Sequence, residues 1–267
     1  MQIPIQIEVE RTPVLGMLHI PENQAPGSPM ILMCYGLNGN RVDNNRISVS
    51  LGVHAEKTGV ILSRFDYRGL GISGGEFQQI SLDTKMQDSI EMAQFLDACM
   101  NGNQYSLYVL GFSDGCRIAT ALLETNLKIA GVVLWSPIFE IKKKFVSPSV
   151  PRKFVRHPET KEIVFPFKGL WMNQKHLRQQ IAMSDDYQKL CDFRGKKLVI
   201  LGGNDIATRT TFEELQQTNP IPDITKIVIE DADHLYSRKV WTDHLISNTL
   251  RWILSVSYTH LTLPTIA

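Results

Sequence analysis

The sequence has little that would mark a secreted, membrane-bound or nucleic-acid-binding protein. Its 267 residues include only four cysteines, and these show neither paired nor metal-ligand spacing, so free thiols are expected. Lys and Arg number 28 against 27 Asp and Glu, and the net charge of +1 gives no general attraction to nucleic acid or anionic lipid. No apolar run reaches the roughly 20 residues that cross a bilayer. These features predict a cytoplasmic protein without nucleic-acid or membrane partners.

The chain length favours one large domain with a sizeable core. The N-terminal segment lacks the basic start and unbroken apolar stretch of a secretory signal. The last residues, 257–267 (SYTHLTLPTIA), follow a predicted helix and look like translated adapter sequence. We therefore expect a domain over residues 1–256 and a non-native tail over 257–267. A homodimer is compatible with this composition.

Short apolar runs alternate with segments of helical spacing along most of the chain. Residues 3–10 and 14–20 are expected to form a hairpin. Further strands are predicted at 30–36, 60–65, 107–110, 130–135, 197–201 and 226–229. Helices are predicted at 46–57, 84–100, 116–124, 211–217 and 241–254. Strands that alternate with helices in this way predict an α/β fold with a doubly wound, mostly parallel sheet.

The alternation stops between residues 137 and 193, where a small inserted cap is predicted. A hairpin is expected around 157–160, and residues 172–183 have helical spacing. The cap is locally basic at 142–144 and 152–156, which indicates either a solvated face or attraction for anionic substrates. Seven apolar residues either line an acyl or aryl pocket or form the core of the cap: Phe139, Phe145, Phe154, Phe165, Phe167, Trp171 and Met172.

One serine lies between two glycines where a predicted strand meets a predicted helix, in the pentapeptide Gly111-Phe112-Ser113-Asp114-Gly115. A nucleophile on such a tight turn needs neighbours without side chains two positions away on either side. The turn exposes the serine oxygen above the sheet, next to the positive end of the helix dipole. The alternative is a tight turn whose serine only caps the helix. The pattern favours Ser113 as a catalytic nucleophile.

A serine hydroxyl needs a base to take its proton and an acid to orient that base. Asp205 and His234 each follow a later predicted strand, which gives the chain order serine, acid, histidine. We predict that Ser113, Asp205 and His234 form a catalytic triad, with Asp231 and Asp233 as alternatives for the acid. Surface or packing roles are expected for the histidines of the N-terminal strand, the helices and the cap: His19, His54, His157, His176 and His244.

Five segments together resemble the α/β-hydrolase family, and the likeness extends over residues 1–254. The segments are MCYGLNGN, FDYRGLGISGG, GFSDG, GGND and DADH. Residues 66–73 resemble the D-x-R-G-x-G-x-S loop of esterases and serine-peptidase-like hydrolases in this family, where the loop has a structural role. The cap and the overall layout are most similar to the cinnamoyl and feruloyl esterase branch. The resemblance implies an α/β-hydrolase fold.

The resemblance also implies an oxyanion hole built from the backbone N–H groups of Leu37 and Asp114. At the first of these positions the family usually reads His-Gly before an apolar residue, and this chain has Tyr35 and Gly36. Backbone donors do not depend on the identity of their side chains. The same two donors are therefore expected here.

The predicted activity is hydrolysis of a small-molecule carboxylic ester through an acyl-enzyme intermediate, without a metal or organic cofactor. Hydroxycinnamate or other short-acyl esters are the expected substrates. A thioesterase or acyltransferase acting on acyl-thioesters is the main alternative. A peptidase is less favoured because no acidic cluster for a free amino terminus is evident. A non-catalytic binding protein on the same scaffold is the alternative from a different class.

Overall fold

The computed structural model describes residues 1–100, 105–139, 153–167, 169–181 and 185–258. In chain order, its strands are β1 (Gln2–Val9), β2 (Thr12–His19), β3 (Ser28–Cys34), β4 (Ile61–Phe65), β5 (Tyr105–Phe112), β6 (Ile129–Trp135), β7 (Val155–Arg156), β8 (Ile163–Phe167), β9 (Leu170–Asn173), β10 (Lys196–Gly202) and β11 (Ile224–Ile229). Within these ranges, eight strands form one sheet in the order β1-β2-β4-β3-β5-β6-β10-β11.

The sheet is antiparallel at one edge and parallel elsewhere. Strand β2 pairs antiparallel with β1 and with β4, and all pairs from β4 to β11 are parallel. Five successive residues of β3, from Met30 to Cys34, are fully buried. Such continuous burial requires cover on both faces of the sheet. The predicted doubly wound, mostly parallel sheet is confirmed.

The helices are α1 (Ile47–Thr58), α2 (Leu82–Cys99), α3 (Gly115–Leu122), α4 (Gln174–Ile181), α5 (Asp186–Asp192), α6 (Ile206–Thr218) and α7 (Lys239–Tyr258). Helix α1 contacts α7, and α3 contacts both α2 and α5. Helix α7 continues past its predicted end at residue 254, and Ser257 forms a 2.9 Å hydrogen bond with Tyr108. Residues 259–267 of the predicted tail lie outside the described residues.

Two helix predictions were wrong at their N-terminal ends. The helix predicted at 172–183 begins at Gln174, because Met172 belongs to β9 and lies opposite Phe165 of β8. The helix predicted at 211–217 begins at Ile206. The first turns of this helix are rich in threonine, which has a low helix propensity. Thr208 is nevertheless buried there, because tertiary packing outweighs this unfavourable propensity.

The cap contains the predicted hairpin, and β7, β8 and β9 form a small antiparallel sheet. Of its six described candidate pocket residues, three are buried and Phe167 is partly buried against the core. Phe139, Phe165 and Met172 are buried, while Phe154 and Trp171 are exposed. Phe145 and the basic residues 142–144 and 152 lie outside the described part of the chain. The limits of the cap at 137 and 193 remain a prediction.

Candidate active site

Ser113 occupies a strained turn between the end of β5 and the start of α3. Its φ angle is +55°, in the left-handed region that residues other than glycine rarely adopt. A Cβ atom on Gly111 would lie 2.5 Å from the Cα of Cys116, and one on Gly115 would lie 2.3 Å from the carbonyl oxygen of Cys34. Both distances are shorter than any tolerable contact. The two glycines of the motif are therefore needed for the sheet and helix to approach each other at this serine.

The structure joins Ser113, His234 and Asp205 by a continuous chain of hydrogen bonds. The serine Oγ lies 2.8 Å from Nε2 of His234, and Nδ1 of the same ring lies 2.7 Å from Oδ2 of Asp205. The ring of Phe112 stacks against the imidazole at a centroid distance of 6.0 Å. We call these three hydrogen-bonded residues the triad. Its geometry is that of a nucleophile, a base and an orienting acid.

Two hydroxyl groups that the sequence did not reveal support the Asp205 carboxylate. Thr208 donates a 2.7 Å hydrogen bond to Oδ1 of Asp205, and the hydroxyl of Ser136, which forms a 3.0 Å hydrogen bond with Tyr236, lies beside this carboxylate. Burial by itself would raise the pKa of Asp205, but the hydrogen bonds from His234 and Thr208, the charge of His234 and the nearby Ser136 hydroxyl outweigh it and hold that pKa below its ordinary value. The acid therefore remains ionised well below neutral pH.

The alternative acids have other positions in the structure. Asp231 is exposed. The carboxylate of Asp233 accepts hydrogen bonds from the backbone N–H groups of Leu235 and Ser237, at 3.1 and 3.0 Å. Asp233 thus shapes the loop that carries His234 without contacting the imidazole.

The other histidines occupy the structural positions expected for packing or surface residues. His19 is fully buried in β2, where its ring contacts Glu56 and Arg64. The histidines of α1 and α7 are exposed. Among the described residues, His234 is the histidine that hydrogen-bonds the serine of the triad.

The turn after β3 approaches the triad at Gly36. A Cβ atom on this glycine would lie 3.6 Å from the Cβ of Ser113. The two predicted oxyanion donors therefore flank the serine, since Leu37 follows Gly36 and Asp114 follows Ser113. Neither backbone N–H donates to another residue in the part of the chain that the structure describes. Tyr35 is fully buried, its ring packs edge-on against that of Tyr67, and its hydroxyl finds no partner among the described side chains and backbone.

The loop that resembles D-x-R-G-x-G-x-S is organised around the buried carboxylate of Asp66. This group accepts hydrogen bonds from the backbone N–H of Arg41 at 2.6 Å and of Ile72 at 2.9 Å, and it pairs with the Arg41 guanidinium. Gly71 has φ +56°, and any Cβ there would collide with the carboxylate. Asp66 thereby joins this loop to the segment that follows Gly36.

The described ranges contain no group of three or more His, Cys, Asp or Glu side chains arranged to hold one metal ion. Within those ranges, no helix combines the length and the apolar character needed to span a bilayer.

His176 of the cap makes the stability of the fold sensitive to acid. It is 1% exposed, and burial, with a smaller contribution from the charge of Lys85, lowers its pKa from 6.5 to about 4. Between these values the unfolded chain binds a proton that the folded chain does not, so stability falls as pH decreases through this range. From pH 7 to pH 5 this loss should be about 2 kcal/mol.

The measurement is urea denaturation of the wild type and of His176→Phe at both pH values. The variant keeps a buried ring but removes the titrating group, so its stability should depend less on pH by that amount. His54→Phe, which changes an exposed histidine, should retain the wild-type dependence. An unchanged pH dependence in His176→Phe would contradict this assignment.

The chain matches one known protein family over most of its length. Residues 48–234 match the family described as serine aminopeptidase, S33. No curated protein matches the sequence significantly.

Many solved structures share the fold at low sequence identity. Est1E from Butyrivibrio proteoclasticus, with ferulic acid bound, is 18% identical, with 94% of this chain and 98% of that chain covered and a TM-score of 0.75. A soluble variant of monoglyceride lipase from Saccharomyces cerevisiae, in complex with a substrate analogue, is 12% identical over 96% and 95% of the two chains, with a TM-score of 0.73. An esterase from Pyrococcus furiosus is 17% identical over 96% and 91%, with a TM-score of 0.67. This chain belongs to the serine aminopeptidase S33 family of α/β hydrolases.

Proposed function

We propose that this protein is a carboxylic-ester hydrolase in which Ser113 is the nucleophile. The observation that carries the proposal is the unbroken hydrogen-bond chain from Ser113 through His234 to Asp205. A serine placed on a tight turn only to cap α3 would need neither partner. Each of the three side chains also comes from a different strand end of the same sheet edge, which is where this fold places its chemistry.

In the first half of the reaction, the Asp205 carboxylate accepts a hydrogen bond from the Nδ1–H group of His234, which leaves the Nε2 lone pair free to accept the proton of Ser113. The serine oxygen then forms a bond to the ester carbonyl carbon, and the carbonyl oxygen becomes an anion. The N–H groups of Leu37 and Asp114 donate to that anion. Asp205 stabilises the imidazolium that results.

In the second half, the His234 imidazolium returns its proton to the departing alcohol as the carbon–oxygen bond breaks. An acyl group is then bonded to Ser113. A water molecule gives a proton to His234 and attacks this acyl group. The imidazolium then returns the proton to the oxygen of Ser113 as the acyl bond breaks, which releases the carboxylic acid and restores the Ser113 hydroxyl. These steps require only the residues of the triad, the two backbone donors and water.

A hydroxycinnamate or short-acyl ester is the proposed substrate class. Ile206 and Leu235 directly follow the acid and the base in sequence, and both side chains are exposed, at 64% and 42%. They supply apolar surface beside the triad for an acyl or aryl group. The structure of Est1E with ferulic acid bound shows that this fold accommodates a hydroxycinnamate acid.

A substrate panel tests the proposal. It comprises short- and long-chain p-nitrophenyl esters, methyl hydroxycinnamates, an acyl-coenzyme A and aminoacyl p-nitroanilides. We expect the highest kcat/KM for hydroxycinnamate or short-chain esters. Long-chain esters should react more slowly, because the side chains of Ile206 and Leu235 cover only a short acyl group.

The other substrates in the panel represent competing functions. The family match favours an aminopeptidase as the second candidate, and anilides turned over at least as efficiently as esters would establish it in place of the esterase. Preferred hydrolysis of the acyl-coenzyme A would establish a thioesterase. A wild type that hydrolyses nothing in the panel would contradict the proposed function as a whole.

A further inference from the structure

Lys85 of α2 is fully buried beside the two backbone segments that flank Ser113. Its Nζ donates hydrogen bonds to the carbonyl oxygens of Gly36, at 3.2 Å, and of Leu37, at 2.9 Å. The same nitrogen lies 3.6 Å from Oδ2 of Asp114. An ammonium group has three protons to donate. Two carbonyl groups and one carboxylate therefore surround the charge of Lys85.

The contact with Gly36 also controls the direction of a neighbouring N–H group. The carbonyl of Gly36 and the N–H of Leu37 belong to one planar, trans peptide unit, in which they point in opposite directions. When the oxygen of Gly36 points towards Lys85, the Leu37 N–H must point away from Lys85. The carbonyl of Leu37, at the next peptide unit, is held by the same ammonium group. Lys85 thus fixes the orientation of the peptide that carries one oxyanion donor.

The second donor is connected to the same side chain. Asp114 contributes the other N–H, and its carboxylate is 4% exposed and unpaired by any hydrogen bond within the described residues. Lys85 supplies the compensating charge at 3.6 Å. A buried carboxylate without such a charge is strongly unfavourable. One side chain from α2 is therefore linked to both segments that provide the proposed donors.

We propose that Lys85 is the positioning residue of the oxyanion hole, and that it aligns the N–H of Leu37 with the N–H of Asp114. The inference rests on the proposed function of Ser113. Within the turn itself, the Gly36 carbonyl also accepts a 3.2 Å hydrogen bond from the N–H of Gly39. Tyr35 contributes no hydrogen bond to this turn from its buried hydroxyl, within the part of the chain described. Lys85 therefore links the turn directly to α2.

Lys85→Met tests this role, because methionine retains the length of the side chain and removes the charge and the donors. We expect kcat for an ester to fall by roughly 10²-fold, with KM changed much less, since a misaligned donor weakens binding of the oxyanion and not of the ground-state ester. The rate of phosphonylation of Ser113 by a fluorophosphonate should fall in parallel. That reaction also develops charge on an oxygen in the same hole.

A second variant separates alignment from simple loss of stability. Lys85→Met leaves the Asp114 carboxylate buried and uncompensated, whereas Lys85→Met combined with Asp114→Asn removes both charges and keeps both backbone N–H groups. We expect the double variant to recover stability in urea denaturation but to remain slow in both reactions. Recovery of wild-type rates would overturn the proposal.

Arg68→Met serves as a matched control. It removes a partly buried cation that binds α2, through Asp88, but it does not touch residues 36 and 37. The control should lose stability and keep kcat, and an equal loss of kcat would overturn the proposal for Lys85. If the wild type hydrolyses no ester but is phosphonylated, the proposed esterase function fails while the Lys85 variants remain a valid test. A wild type that also resists phosphonylation would overturn both.

Discussion

Ser113→Ala is expected to abolish ester hydrolysis, with a fall in kcat of roughly 10⁵- to 10⁶-fold. The alanine removes the oxygen that forms the acyl-enzyme, while the imidazole and the backbone donors remain. Any residual rate would reflect water acting in the intact oxyanion hole. Single-turnover assays with the best substrate of the panel, together with labelling by a fluorophosphonate probe, measure the effect. The variant should bind no probe.

The fold should survive this change. Serine and alanine are close in size, and both meet the same steric restriction at φ +55°, so the strain of the turn is nearly unchanged. Ser63→Ala is the matched control, because Ser63 is also buried in the sheet and its hydroxyl has no partner among the described residues. The control should keep wild-type turnover. Substantial activity or labelling in Ser113→Ala would show that another residue is the nucleophile.

The elements around Ser113 could be predicted from sequence because their causes are local. The pentapeptide from Gly111 to Gly115 specifies a turn in which any Cβ at either glycine would collide with neighbouring backbone. Asp205 and His234 could be predicted because residues that follow parallel strands meet at one edge of a sheet. In each case a short sequence pattern determines the path of the backbone, and that path determines the position of the functional side chain.

The buried charges of α2 could not be predicted in the same way. The spacing of five residues indicated one apolar side of this helix: Met86, Ile90, Ala93, Phe95 and Leu96. Ala93 and Leu96 are buried, but the other three are only partly buried. Lys85 and Asp88 are fully buried instead. A buried lysine needs acceptors that come from distant parts of the chain, and helical periodicity carries no information about them. The helical pattern therefore did not reveal that Lys85, which we propose aligns the oxyanion hole, is buried.

The hydroxyl groups around Asp205 were missed for a related reason. Thr208 lies in the first turn of α6, which begins five residues before the predicted helix, and Ser136 follows β6 on a neighbouring strand. Single serines and threonines are common in loops and helix ends. Only the assembled sheet edge shows that Thr208 donates to the Asp205 carboxylate and that the Ser136 hydroxyl lies beside it.

Replacing Asp205 with asparagine is expected to lower kcat by about 10⁴-fold, with little change in KM. The Asp205 carboxylate accepts a hydrogen bond from the Nδ1–H group, with 2.7 Å between Nδ1 and Oδ2, and so leaves the lone pair of Nε2 directed towards Ser113. An asparagine at this position can present its NH₂ group to Nδ1, which stabilises the tautomer with the proton on Nε2. In that tautomer the imidazole cannot accept the serine proton. The loss also removes the charge that stabilises the imidazolium.

Asp231→Asn is the matched control for Asp205→Asn, because it makes the same chemical change at an alternative acid in the loop that carries His234. Asp231 is exposed and has φ +58°, a conformation that asparagine tolerates well, so neither stability nor kcat should change appreciably. Steady-state kinetics on both variants, at equal folded concentration, decide between the two carboxylates. A large loss in Asp231→Asn with an active Asp205→Asn would reverse the assignment. The 2.7 Å contact predicts the opposite, because only a carboxylate bonded to Nδ1 can select the imidazole tautomer that Ser113 needs.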